Sequence, residues 1–485
     1  MGMEFVRAKD ERGADARVVV GVPGGGVCWP EKAGREDKTA VEAWWAGRGA
    51  KPGVTHGTEW AFGGLKMPTL VVWADARGGS QAWFRAWAAA GRALAAQKSV
   101  KRAAVWGWPE EAGGERGRVP EALIFGAYSP KKGSGEERET TVAWTGAGWG
   151  AEKAAMEKSR VVGEALSEFR DLANTTAVDL SPKEFAQRMQ ALAKKVPGLS
   201  CKVWTDTDLR MVEKCGAIVG VAEGSWRDER LVRLSWEGKG KGKKKRPLAL
   251  VGKGVTFDAG GICLKPAKGM EWMQYDKCGA VAVAAATVLA ARLGTERPVT
   301  AWMALADNMP GGDALRPGDI VTARNGKTIQ VVNTDAEGRL LLADALCMAS
   351  EEKPAAIADA ATLTGAVVIA LGRDASAVLG DDLVADELEA CGALAGERLW
   401  RLPIWPETEA ALESPFADCK NMGDGTAGTI AAAAFLRKFV PEGIPWAHLD
   451  IAGTAWVEKA SDWAAEGATL AAARLLYEWV GDSAL

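Results

Sequence analysis

Short apolar runs alternate with long alanine-rich stretches, and this feature most restricts what the chain can fold into. Residues 299–304, 329–332, 355–360 and 446–450 have strand character. Residues 279–292, 340–350, 429–439 and 468–479 are alanine-rich and long enough for helices. The first part repeats the pattern. Residues 16–22, 69–73, 102–106 and 122–125 read as strands, and 81–97 and 152–172 as helices. Such alternation predicts an α/β fold, a sheet covered by helices. At 485 residues the chain exceeds one ordinary core, so two domains are expected.

The join between them falls near 172–182, where Asn174, Thr175, Thr176 and Asp179 form a loop. Ser181 then caps a helix entered through Pro182, with Glu184 in its first turn and Pro197-Gly198 at its end. Residues 201–205, 217–221 and 230–236 read as further strands. The glycine run 24–26 lacks the spacing of a dinucleotide fingerprint and reads as a turn. Residues 238–246, GKGKGKKKR, fit two readings. One is a solvated hairpin loop between strands 231–236 and 248–252; the other is a contact to a phosphate backbone. The loop is preferred, because nothing aromatic or basic nearby extends the patch.

Composition narrows the function. The formal net charge is -3, so nothing demands nucleic acid or a membrane as partner. The opening MGMEFVRAKDERGADARVVV has charged residues where a secretory signal has its apolar core. The 8 cysteines form no C-x-x-C pair, which suits free thiols in a reducing compartment. With only 2 histidines, a polyhistidine metal site is excluded, and carboxylates are the candidate ligands.

Those carboxylates stand out. VGKGVTFDAGGICLK, residues 251–265, carries Lys253 and Asp258, followed at once by Gly260 and Gly261. Asp276 lies in MQYDKCG, and NTDAEGR at 333–339 sets Asp335 and Glu337 two apart. An extended chain there would send both side chains from one face. Hard divalent ions bind carboxylate oxygens, and two ions clamp both attacking and departing oxygens. Four solvated surface acids are the alternative. Against it, each lies in an apolar, glycine-bounded segment where an unpaired charge is costly.

These segments resemble the leucyl aminopeptidase family, also called the cytosol aminopeptidases. NTDAEGRL at 333–340 matches its strongest signature. Residues 253–265, ATLTGA at 361–366 and WAHLDIAG at 446–453 resemble the family in the same order. The resemblance covers about 181–485 and is weaker in the first 170 residues. NTTAVDL at 174–180 departs from the family's proline-containing segment at the domain junction. The resemblance implies a smaller N-terminal α/β domain over 1–172, a linker and connecting helix over 173–200, and a larger α/β catalytic domain over 201–485, with a central mixed sheet flanked by helices.

It also implies two divalent ions per subunit, Zn2+ or Mn2+, with Mg2+ and Co2+ also accepted. Asp258, Asp335 and Glu337 would hold one, Asp335 also through its backbone carbonyl. Lys253, Asp258, Asp276 and Glu337 would hold the other. A salt bridge from Lys253 to one of these acids stays open. Lys265 resembles the family's electrophilic lysine, and Arg339 the arginine anchoring a bicarbonate general base. Met273, Thr362 and Gly365 resemble the side-chain pocket, and Asn333 and Leu363 the contacts to substrate backbone. The implied activity is removal of N-terminal leucine or similar apolar residues from short peptides, in a cytoplasmic homohexamer. His448, inside an apolar strand beside Asp450, reads as structural. Two rivals remain: a two-metal hydrolase of another substrate class, and an aminopeptidase with a secondary DNA-binding role.

Overall fold

Ala16–Gly21 reads ARVVVG, and all six residues are buried, as in a strand covered on both faces. It is the second strand of the computed structural model, which describes every residue except 1, 8–13, 22–26, 29–34, 49–55, 62–66, 75–78, 98, 107–117, 131–138, 145–148 and 241–244. The glycine run 24–26 and the middle of the lysine-rich loop therefore lie outside the described residues. The chain divides into two units, Met1–Glu168 with Lys459–Glu466, and Phe169–Glu458 with Gly467–Leu485.

The first unit runs β1 (Gly2–Arg7), β2 (Ala16–Gly21), β3 (Val27–Cys28), α1 (Arg35–Arg48), β4 (His56–Ala61), β5 (Thr69–Ala74), α2 (Gly79–Ala96), β6 (Arg102–Trp106), α3 (Val119–Ala127) and β7 (Glu139–Trp144), then enters α4 (Trp149–Asn174). Its sheet has the order β1-β7-β6-β2-β5-β4, with β3 against β2. The pairs β1–β7, β7–β6, β6–β2 and β2–β5 are parallel. One expectation fails here. Residues 122–125 are not a strand but the middle of α3, entered through Pro120 and buried along its whole length. A short run buried all round has no period that separates strand from helix. Tertiary packing decides it: a Cβ on Gly126 would fall 1.7 Å from the Ala88 carbonyl oxygen of α2, so the two helices meet backbone to backbone.

The second unit continues with α5 (Pro182–Lys195), β8 (Leu199–Trp204), α6 (Gly216–Ala222), β9 (Arg230–Trp236), β10 (Leu248–Asp258), a 3-10 turn over Met270–Lys277, α7 (Cys278–Leu293), β11 (Val299–Asn308), β12 (Ile320–Thr322), β13 (Thr328–Gln330) and α8 (Gly338–Glu351). After these come β14 (Ala356–Ala361), α9 (Gly365–Leu371), β15 (Ser376–Gly380), α10 (Asp382–Ala395), β16 (Leu399–Arg401), α11 (Pro406–Ala410), β17 (Cys419–Lys420), α12 (Gly428–Arg437), β18 (Trp446–Asp450), β19 (Trp456–Val457), β20 (Gly467–Ala468) and α13 (Ala473–Asp482). The Ser181 side chain accepts from the Glu184 N–H and caps α5 as its sequence requires.

An eight-stranded mixed sheet, β16-β15-β18-β14-β10-β11-β9-β8, is the centre of this unit. Its middle four strands are parallel, so the carboxyl ends of β18, β14, β10 and β11 share one edge. From β10 the chain crosses to β11 on one side and later returns to β14 on the other. The order therefore reverses around β10, and open α/β sheets bind ligands at such a reversal. α7 lies close on this sheet: a Cβ on Gly279 would fall 2.1 Å from the Ala360 carbonyl oxygen. Among the described residues, no helix is long and apolar enough to cross a membrane.

Four further expectations change. Residues 217–221 form helix α6, because the Asp344 carboxylate accepts the free N–H groups of Ala217 and Ile218 at its start. The lysine-rich segment does not join a hairpin, since β11 lies between β9 and β10. Its first residues instead run beside the loop after α7, with Lys239 N–H on the Thr295 carbonyl and Gly240 N–H on that of Glu296. The last helix starts at Ala473, not 468, because Gly467–Ala468 pairs with Trp456–Val457 as β20. The expected strand 329–332 is realised only at its start, as β13 (Thr328–Gln330), which sits in a separate small sheet, β12-β13-β17.

Candidate metal centre

The edge where β10 ends collects the acidic residues. Asp258 is the last residue of β10. Its Oδ1 accepts from the Gly260 N–H at 2.9 Å and from Asn308 Nδ2, at the end of β11, at 2.8 Å. Gly260 has φ +90°, and a Cβ there would fall 2.8 Å from Asp335 Oδ1, so the turn admits only glycine. Asp335 and Glu337 arrive from the other side, between β13 and α8. Their segment is a turn and not extended, because Asn333 Oδ1 accepts the Asp335 N–H at 2.8 Å and bends it. Glu337 is then the N-cap residue of α8.

Candidate ligand atoms of Asp258, Asp335 and Glu337 lie within 4.8 Å of one another. Asp276 approaches from a different kind of element. It does not end a strand but sits in the 3-10 turn Met270–Lys277, directly before α7. Lys253, in mid-β10, links it to the trio. Its Nζ is 2.8 Å from Asp276 Oδ1 and 2.8 Å from Glu337 Oε1, and donates to the Thr362 carbonyl at 2.9 Å. Lys265 Nζ lies 2.8 Å from Asp258 Oδ2 and 2.5 Å from Asp335 Oδ1. Lys253, Asp258, Asp276 and Glu337 are all buried, while Lys265 and Asp335 reach solvent in part.

The electrostatics show a site short of positive charge. Burial, and then Glu337, hold the Asp258 carboxyl above its ordinary value. Burial holds Asp276 well above its own, against the pull of Lys253. Asp335 is raised by burial and by Asp258. Burial opposes the charge on Lys253, but Asp276, Glu337 and Asp258 outweigh it and keep the ammonium protonated. Lys265 is held up in the same way by Asp258, Glu337 and Asp335. Four carboxylates thus face the two ammonium groups. Asp276 Oδ2 is buried and makes no hydrogen bond, and neither carboxylate oxygen of Glu337 accepts one beyond the ion pair at Oε1. Buried anionic oxygens without donors are costly. Hard cations satisfy such oxygens, so the donor set fits divalent metal.

The remaining residues surround this centre. Thr362 follows β14, and its Oγ1 donates to Asp276 Oδ1 at 2.7 Å. Leu363 and Thr364 N–H groups point at Asp450 Oδ1, at the end of β18, at 3.2 and 3.4 Å. Gly365 opens α9 on free space, since a Cβ there meets nothing within 4 Å. Met273 is half-buried on the 3-10 turn that carries Asp276, and Asn333 is half-buried in the turn that carries Asp335. Arg339 lies in the first turn of α8, buried, and burial pushes its guanidinium down to about 10. Its Nη1 donates to the Asn421 carbonyl at 2.7 Å, and its Nε is a buried donor without an acceptor. His448 is fully buried, with Nδ1 2.6 Å from Asp359 Oδ1.

Sequence reasoning passed over Asn308, Asn421 and the hydroxyl of Thr362 as supports of the acids. Asn308 had a weak signal, a polar end to the apolar run ALADN. Asn421 had none, because its partners lie more than 80 residues away in the chain.

Comparison with known proteins agrees with this geometry. The profile of the cytosol aminopeptidase family, catalytic domain, matches residues 168–477. A probable cytosol aminopeptidase of Streptomyces avermitilis is 45% identical over 392 residues, covering 79% of this chain and 75% of that protein. One from Micrococcus luteus is 39% identical over 487 residues, covering 94% and 93%. Among solved structures, the bottromycin maturation enzyme BotP in complex with Mn superposes with a TM-score of 0.81 at 32% identity, covering 96% of this chain and 99% of that one.

Proposed function

The chain belongs to the cytosol aminopeptidase family, and from that premise we propose that it removes leucine and similar apolar residues from the N-termini of short peptides. Metal-dependent hydrolysis at peptide N-termini is the general activity of the family. The observation that carries the reading here is the pair of buried carboxylate oxygens left without donors, Asp276 Oδ2 and Glu337 Oε2.

Asp258, Asp335 and Glu337 would hold one ion, and Lys253, Asp258, Asp276 and Glu337 the other, with Zn2+ or Mn2+ the first candidates and Mg2+ and Co2+ also suited. When bound, the pair supplies a water of lowered pKa and a polarised scissile carbonyl. Lys253 must lose its proton to serve as a ligand, which nearby cationic charge favours. Lys265, on the more open side, donates hydrogen bonds to the oxyanion that develops as the amide is attacked. Arg339 would hold bicarbonate through its guanidinium, and the buried Nε without an acceptor suits that anion. An anion held there would supply the general base, a part that fully buried His448 is not placed to play. Thr362, Met273 and Gly365 shape the pocket for the side chain, while Leu363 and Asn333 orient the peptide backbone. An apolar pocket of this kind separates similar side chains weakly.

The catalytic work falls to residues 201–485, with 1–172 as the N-terminal domain and 173–200 connecting them. The relatives' shared name supports a cytoplasmic location, and we extend the proposal to a homohexamer. The test is hydrolysis of leucine-amide and N-acetyl-leucine-amide, with chelator and with Mn2+ restored. Chelator-sensitive cleavage of the free-amino substrate alone is expected. Equal cleavage of the acetylated one overturns the exopeptidase reading.

A further inference from the structure

The turn that carries Asp335, Glu337 and Arg339 is itself held by a residue remote in sequence. β17 pairs parallel with β13, Ile329 beside Cys419 and Gln330 beside Lys420. The ladder continues one step, with the Asn421 N–H on the Gln330 carbonyl at 3.0 Å. Beyond that point the ladder ends and the Asn421 side chain takes over. Its Oδ1 accepts from Val332 N–H at 2.8 Å and faces Asn333 N–H at 3.4 Å. Its Nδ2 donates to the Asn333 carbonyl at 2.6 Å and to that of Ala336 at 3.3 Å. Its own carbonyl accepts Arg339 Nη1 at 2.7 Å. Asn421 is fully buried, so water cannot replace any of these bonds.

We propose that Asn421 is a positioning residue that fixes the shape of the 332–339 turn and, through it, the spacing of Asp335, Glu337 and Arg339. A primary amide alone offers two acceptor and two donor directions in one plane. A carboxylate at this place would set an oxygen against the Asn333 and Ala336 carbonyls, and a leucine would satisfy none of the four groups. Partners that orient metal ligands are worth about ten- to hundredfold in affinity. The importance of the turn to catalysis rests on the function proposed above; its dependence on Asn421 does not.

The test uses full-length, metal-stripped wild type, Asn421→Leu and Asn421→Asp. Hydrogen exchange is followed on peptides from 330–339 and from β10, and Mn2+ affinity is measured by titration. Exchange over 330–339 should quicken about tenfold or more in Asn421→Leu, and less in Asn421→Asp, which keeps the acceptor. β10 should keep its protection, and Mn2+ should bind about ten- to hundredfold more weakly. Wild-type exchange and Mn2+ affinity in Asn421→Leu overturn the proposal, as does loss of protection spread equally into β10. If Asn421→Leu does not fold, the same two measurements on Asn421→Asp decide, with wild-type values refuting. Because exchange needs neither metal nor substrate, a failure of the aminopeptidase reading would be seen separately, in the leucine-amide assay.

Discussion

Thr362→Val removes a hydroxyl and keeps the side chain's shape. The hydroxyl donates to Asp276 Oδ1 at 2.7 Å, between two buried residues. A hydrogen bond to a charged group contributes about 1.5–3 kcal/mol. At about 1.4 kcal/mol per decade, that is roughly ten- to hundredfold in an equilibrium constant, the span expected for losing the partner of a metal ligand. Asp276 is assigned to only one of the two proposed metal positions. One binding step should therefore weaken by that factor while the other stays put. Asn308→Ala is the contrast, because its Nδ2 supports Asp258 at 2.8 Å, and Asp258 is assigned to both positions. Calorimetric titration of the metal-stripped variants with Mn2+ resolves the steps. If Thr362→Val leaves both steps unchanged, or shifts both equally, the division of ligands between two positions is wrong.

Lys265→Ala should lower kcat by about two orders of magnitude or more while Mn2+ stoichiometry holds; wild-type kcat would remove Lys265 from the mechanism. Arg339→Ala should be slower and should lose the wild type's response to added bicarbonate, read by titrating bicarbonate into a carbonate-depleted assay. Asp344 gives a pH effect. Burial pushes its carboxyl up to about 7, above the ~3.9 of an exposed aspartate. The folded chain then binds the extra proton, so this group's stabilisation falls as pH rises from about 4 to 7. Asp344→Asn should flatten that slope in urea midpoints taken at pH 5 and 8, and parallel midpoints for the two chains would contradict it. Sedimentation equilibrium with Mn2+ should give six times the 51.1 kDa chain mass; a monomer refutes the assembly and leaves the chemistry intact.

Local chemistry was legible wherever its cause was local. The Ser181 cap, with Pro182 and Glu184 behind it, marks the start of α5 because capping uses neighbours in the chain. Trp446–Asp450 is a strand at its expected bounds, since an apolar run between turns needs no distant partner to be recognised. The acids at 258, 335 and 337 were visible from their residue types and their glycine-bounded settings, and they do meet. Buried short runs were not legible. Residues 122–125 and 217–221 are apolar on every side, so no period distinguished helix from strand.

What the sequence determined by itself is the donor set and the α/β alternation, because ligand chemistry belongs to side chains and periodicity to neighbouring residues. Tertiary structure alone decided which donors share a site and what holds them. The parallel ladder β18-β14-β10-β11 brings Asp450, Thr362, Asp258 and Asn308 to one edge from four separate stretches of chain. Lys253 joins Asp276 to Glu337, and Asn421 braces the turn that carries Glu337 from across β13 and β17. Those pairings are long-range hydrogen bonds and ion pairs, and their partners exist for one another only once the sheet has formed.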